Sequence, residues 1–245
     1  YDITVCSIDA GVTGDVSLVS IAGAIVDDGV DVTRILGGRL TLSAATGIGS
    51  ASHAIGSDVK SIAASVTSTG LINIDERDGV SLNKLETADG SITISAGGVT
   101  EVGTVVSATD ADRNDISIRT TIGDILVGIV NGGAGAGDVT LAALSGAIVI
   151  NTSGSPSLVT ADVLTLTAAI GIGGMANSAL NTAANSLVAM VTAAGSINLL
   201  EQDAVTLASV TATNGPVSIS ADGSIDVVAV SSLQDSDSND VILTS

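Results

Sequence analysis

Aliphatic and polar residues alternate along this chain in short runs, most of them introduced by glycine. Gly14-Asp15-Val16-Ser17-Leu18, Gly90-Ser91-Ile92-Thr93-Ile94 and Gly123-Asp124-Ile125-Leu126-Val127 show the pattern. So do Gly195-Ser196-Ile197-Asn198-Leu199, Gly215-Pro216-Val217-Ser218-Ile219 and Gly223-Ser224-Ile225-Asp226-Val227. A period of two is that of a β-strand with one buried face, and glycine supplies the turn that precedes it. The same alternation predicts strands over 40–42, 72–74, 80–82 and 116–118. It places Val16, Leu18, Leu40, Leu42, Ile72, Ile74, Ile92 and Ile94 on the inward face. Residues 179–191 have helical propensity, but their counterpart 54–66 holds Gly56, Ser57 and Val59 and alternates loosely from Ser61 on. Strand is therefore predicted there as well.

The pattern is also written twice. Leu40-Thr41-Leu42-Ser43-Ala44-Ala45-Thr46-Gly47-Ile48-Gly49 returns as Leu164-Thr165-Leu166-Thr167-Ala168-Ala169-Ile170-Gly171-Ile172-Gly173. Gly23-Ala24-Ile25-Val26 returns as Gly146-Ala147-Ile148-Val149, and Asn73 and Glu76 return as Asn198 and Glu201. The offset drifts only from 122 to 125 residues, so the 245-residue chain divides into copies 1–122 and 123–245. No linker separates them. Repetition of this kind predicts an elongated array.

Composition sharpens the fold class. Tyr1 is the only aromatic residue, yet 45% of the chain is hydrophobic. An interior of aliphatics alone suits a thin cross-section of similar layers better than a globule filled by rings. The expectation is all-β, a parallel β-solenoid of two tandem repeats. Two tandem Ig-like sandwiches have the right unit length but would lack the core Trp and the tyrosine corner.

The formal charge is −19, with 16 acidic and 7 basic residues in the first copy and 10 acidic and no basic residues in the second. Constant net charge with varying gross charge predicts a solvated, self-repelling exterior in place of specific ion pairs. Nucleic acid is excluded as a partner, since no cluster of Lys and Arg could meet phosphates. Membrane insertion is excluded because no apolar run nears 18 residues. Cys6 faces Gly128 in the second copy, so no intramolecular disulfide can form, and it reads as a small buried apolar residue. The segment opens without a targeting leader, and it begins and stops in strand pattern, without a capping layer.

The phrase Leu-Thr-Leu-Ser/Thr-Ala-Ala-x-Gly-Ile-Gly, followed by Gly-x-Ile-Asn-Ile/Leu and Val-Ser/Thr-Leu, resembles repeats of filamentous-haemagglutinin-like adhesins and giant bacterial surface proteins. The resemblance spans both copies. It implies a secreted, right-handed β-helical stalk; the family's amino-terminal secretion domain and a receptor-binding tip have no counterpart here.

Chemistry has few candidates. Asp110-x-Asp112-x-Asn114-Asp115 recurs as Asp235-x-Asp237-x-Asn239-Asp240, alternating oxygen side chains like the first half of a calcium loop. Asp115 and Asp240 replace the loop glycine, and Thr121 stands where the bidentate Glu belongs, so a solvated acidic turn is the competing reading. Gly132-Gly133-Ala134-Gly135-Ala136-Gly137-Asp138 approaches a calcium nonapeptide but occurs once, with Asp one residue late. Asp27, Asp28 and Asp31 face Asn151, Thr152 and Gly154, which marks a wet loop. Asp75, Glu76 and Asp78 could mimic the carboxylate pair of a glycosidase, yet no aromatic platform accompanies them. Outward Thr41, Ser43, Thr93, Ser95, Thr165 and Thr167 hint at an ice-binding face that Asn73, Asp75 and Asn198 interrupt. His53, the one histidine, reads as a surface residue. The expected protein is thus not an enzyme but a segment of an extracellular fibre, stalk or adhesin that meets further copies end to end, with no cofactor unless calcium. The alternative is a surface module binding calcium or a receptor through its Asp-rich loops, and a polysaccharide-degrading β-helix comes third.

Overall fold

The computed structural model describes residues 1–30, 34–153, 157–174 and 178–245; Asp31 and Gly154 lie outside them. Among the described residues there is no helix, and 24 short strands pair side by side in parallel. They stack as a β-solenoid of about 11 turns. Parallel pairing excludes the Ig-like alternative, whose sheets are antiparallel.

Period-two alternation sets which side chains enter the rod, and coil-to-coil pairing then lines them up. One unbroken column of rungs runs through Ile3, Ile25, Ile48, Ile72, Ile92, Ile116, Val139, Leu164, Leu187, Leu207 and Val227. Across the rod, Val16, Leu40, Ile62, Leu82 and Val102 form a second column. It continues on the same strands through Thr100, Ile125, Ile148, Ile172, Ile197, Val217 and Val241. Every inward residue expected from the alternation is buried except Leu18, which is half-buried in the first coil. The suspected helical stretch is the long strand Leu180–Ala194, matching Ile55–Thr69 in the first copy.

The two columns show something the spacing hid. Ile72 belongs to the first column, whereas its counterpart Ile197 belongs to the second. Leu40 and Leu164 swap in the opposite sense. Eleven turns shared by two copies leave five and a half turns to each, so the copies sit half a turn out of phase. Pairing crosses the 122/123 boundary without a break, Thr100 opposite Ile125 and Ile116 opposite Val139.

Close packing of coils explains several glycines. A Cβ on Gly195 would lie 1.5 Å from the Ile170 carbonyl oxygen of the preceding coil, so no other residue fits that corner. Two expectations need correction. Cys6 is exposed, because it sits at the turn between strands Ile3–Val5 and Ser7–Asp9 in the first coil. The basic residues of copy one also do form ion pairs: Arg34 and Arg77 with Asp58, Lys60 with Asp78, Lys84 with Glu86 and Arg113 with Asp89.

Candidate functional site

Strand Ile72–Glu76 turns Ile72, Ile74 and Glu76 to the same inward face, so register alone drives a carboxylate into the rod. Glu76 is 1% exposed. It occupies a corner where the preceding strand divides its pairing: residues 55–57 pair with 74–76, and the ladder from Ser61 onward pairs with Ser81 and beyond. The Val59 amide falls between, and Glu76 Oε1 accepts its hydrogen at 3.1 Å. The same oxygen accepts from the Arg77 amide, and Oε2 accepts from Ser57 Oγ at 2.5 Å. Copy two repeats the arrangement. Glu201, also 1% exposed, accepts from the Ala184 and Gln202 amides and from Thr182 Oγ1.

A carboxylate withdrawn from water is costly in its charged form. Burial accordingly raises the pKa of Glu76 above 4.5, against the opposing hydrogen bonds from Ser57 and Val59. Burial raises Glu201 further, to about 7, with the neighbouring Asp203 carboxylate adding to the effect. These residues hold a corner of the backbone ladder and carry a proton at neutral pH more readily than ordinary glutamates do. Alternation in Ile72-Asn73-Ile74-Asp75-Glu76 was the signal that could have identified the buried position.

Glu76 lies with Asp58 and Asp78 such that one oxygen of each falls within 4.8 Å of the others. Asp58 is already held by Arg34 and Arg77. In copy two Asp58 becomes Ala183 and Arg77 becomes Gln202. The trio is therefore a local variation on a corner whose shared part is the glutamate and the aspartate two residues on, Asp78 in copy one and Asp203 in copy two. Asp75, by contrast, points outward and does not join it.

The Asp-rich turns are built differently from a metal loop. Asp110 reaches along the rod to the next coil, where its carboxylate accepts the amides of Gly135, Ala136 and Gly137 at 2.8–3.1 Å. The glycine run is the cradle for that carboxylate: a Cβ on Gly133, at φ 106°, would sit 2.4 Å from Asp110 Oδ1. Asn114 is buried and donates inward to Asp89 Oδ1 and to the Thr109 carbonyl. Together with Arg113 it holds the Asp89 carboxyl below its usual range. Asp115 accepts the Asp138 amide, and Asp112 is exposed. In copy two Asn239 donates likewise to Asn214 Oδ1 and the Gln234 carbonyl, while Asp235, Asp237 and Asp240 are exposed in the last coil. The carboxylates of Asp110 and Asp115 are thus taken up by different backbone amides, and Asp112 is exposed. Chelation of divalent cations is expected to leave the melting temperature unchanged. A fall on chelation, abolished by replacing Asp112 and Asp237 together, would instead establish calcium in these turns.

Other candidates remain apart. His53 is exposed and sits 2.9 Å from Ser52 Oγ in its own turn. Asp27 and Asp28 accept the amides of Gly29 and Val30 within their loop. A side groove of about 700 Å³ opens near the C-terminal coil, lined by Gly195, Asn198, Asn214, Pro216, Asn239 and Ile242 among others. At the equivalent place in copy one stands the Arg113–Asp89 ion pair, where copy two has Ser238 and Asn214.

Comparison with protein families, with curated proteins and with solved structures finds no match. Residue chemistry and the stacked fold are thus the basis for any functional reading. What the copies share at their corners is structural in character: a buried glutamate satisfying a backbone amide and an asparagine pinning a turn.

Proposed function

We propose that this chain is a structural segment of an extracellular fibre, stalk or adhesin, a stiff acidic rod that spans distance. The observation carrying this reading is the column from Ile3 to Val227, which passes from one copy into the next without a break. A repeat that adds coils to a common column lengthens the rod. Parallel hydrogen bonds run along the rod axis, so bending it stretches many bonds at once. The net charge of −19 keeps neighbouring rods from associating sideways at low salt. The extracellular setting is supported by the resemblance of the repeat phrase to surface adhesins. A role other than catalysis is supported by the self-satisfied bonding of the buried carboxylates. Coils spaced by about 4.8 Å give a rod of about 50 Å. A tandem fusion of two chains is expected to double that axial length in small-angle scattering. A fusion that folds into two separate compact bodies would overturn the reading.

A further inference from the structure

Charge is spread unevenly along the rod. Residues 125–200 carry two charged side chains, Asp138 and Asp162, whereas 17 acidic and 7 basic residues precede them and 7 acidic residues follow. Both stand at the corner that leads into the first column, just ahead of Val139 and Leu164. The opposite corner, which leads into the second column, is apolar over four successive turns. Residues 96–99, 120–123, 143–146 and 168–171 make these turns and include no charged residue. Val99, Ile122, Leu144 and Ile170 stand on them, each 43–68% exposed. Backbone bonds tie one turn to the next. The Ile122 amide donates to the Gly97 carbonyl at 3.1 Å, that of Leu144 to Thr120 at 3.0 Å and that of Ile170 to Gly146 at 3.1 Å. The four side chains therefore form a fixed ridge. It ends where the same corner carries Arg77 and Asp78 in the coil before, and exposed Thr192, Ala193 and Ala194 in the coil after. Half-buried Leu126 and Val149 flank it on one side, and Ala142 and exposed Met190 on the other.

We propose that this ridge is where two copies of the chain pair, crossing at their middles about a two-fold axis. Successive tips are one coil apart, about 4.8 Å, so the ridge is matched in spacing by the same ridge turned end for end. An axis between Ile122 and Leu144 lays Ile122 of one copy beside Leu144 of the other, and Val99 beside Ile170, each contact occurring twice. Charge selects this occupant. Another copy is repelled by the acidic coils before and after, and the ridge is the stretch where that repulsion is least. Arg119 and Asp124, of opposite sign, border it, so no net charge opposes the approach. The acidic coils still make the two rods diverge from the crossing, so they do not lie alongside each other. Four tips span about 15 Å. Such a strip is comparable with the largest apolar patch of an ordinary monomer, about 300–600 Å², and falls short of the roughly 800 Å² that each side gives to a standard interface. The pair is accordingly weak and exchanges quickly. It strengthens with salt, as screening shortens the reach of the acidic coils, and it stops at two because both ridges are then covered.

Sedimentation of the full chain at rising protein and salt concentration tests this. The parent is expected to show a reversible monomer–dimer equilibrium that salt shifts toward the dimer. Ile122→Asp and Leu144→Lys, each on an exposed turn, should melt like the parent and stay monomeric alone. Mixed in equal amounts they should pair again, because the axis sets the new carboxylate of one beside the new ammonium of the other. Ile122→Ser adds no charge and should weaken the dimer about tenfold or more, which reads the ridge even if a charged variant fails to fold. A parent that stays monomeric at every salt concentration would overturn the proposal, as would association that Ile122→Asp and Ile122→Ser leave intact. Folded charged variants that do not pair when mixed would overturn the two-fold axis and the proposal with it. Phosphatidylcholine vesicles read the other occupant of an apolar ridge. Binding to them by a parent that never dimerises, lost in Ile122→Ser, would assign the ridge to a lipid surface and overturn the pairing. None of these outcomes bears on the axial length of the fused chain, which tests the rod reading separately.

Discussion

Replacing Ile92 by Asp is expected to abolish cooperative folding of the middle coils, whereas Thr93→Asp, one residue away, should leave melting nearly unchanged. Ile92 is 0% exposed and forms the rung between Ile72 and Ile116. The substitution loses about 1.5–3 kcal/mol of apolar burial and adds a charge with no partner inside an aliphatic column. Its two neighbouring rungs lose their contacts as well, because stability in a stacked array is a sum of nearest-neighbour terms. Thr93 lies outward between Asn73 and Ser117, where a surface change is worth within about 0.5 kcal/mol. Thermal melts followed by circular dichroism read both variants. A wild-type melt for Ile92→Asp would show that the inward face has been assigned to the wrong residues.

The second large effect is on pH. Glu201 has a folded-state pKa of about 7 against 4.5 for an ordinary glutamate. Because it is raised, its contribution is fully present below pH 4.5 and is lost as pH climbs through about 7. The difference amounts to on the order of 3 kcal/mol. Glu76 acts in the same direction, beside Asp78 and the Asp58 held by Arg34 and Arg77. Stability should therefore decline from mildly acid to mildly alkaline solution. Glu201→Gln mimics the protonated form: its carbonyl can accept the Ala184 and Gln202 amides while its amide donates to Thr182 Oγ1. The variant should melt higher than the parent at pH 8 and match it at pH 4.5. The remaining acidic residues repel one another in both proteins, so the comparison isolates this one group. Curves that stay parallel across the whole range would show that Glu201 is charged in the folded state after all.

Much of the fold was legible because strand alternation needs only local information. Ile72-Asn73-Ile74 and Val217-Ser218-Ile219 declare their buried face within three residues, and the repeat made the array visible. The phase between the copies was not legible. Coils in the first column advance by 20 to 25 residues, with no marker residue at a fixed corner, so counting turns required the pairing itself. Glu76 was grouped with Asp75 and Asp78 as a possible glycosidase-like carboxylate pair, whereas its place in the alternation sets it on the inward face and Asp75 on the outward one. Asp110 and the glycine run were each noticed, but they meet only because one coil separates them, and no local pattern ties an acid to amides 25 residues ahead. Cys6 was misplaced because its type favours burial, while its place is an exposed turn between two short strands.

Five and a half turns per unit make the number of units a matter of parity. Adding or deleting a single unit would carry everything beyond it to the opposite flank of the rod. A change by two units would restore the original bearing and alter only reach. The turns at Asp110–Asp115 and Asp235–Asp240 therefore look out in opposite directions from one molecule. A partner recognising both would have to clasp the rod from two sides, and one that approaches a single flank meets every second unit.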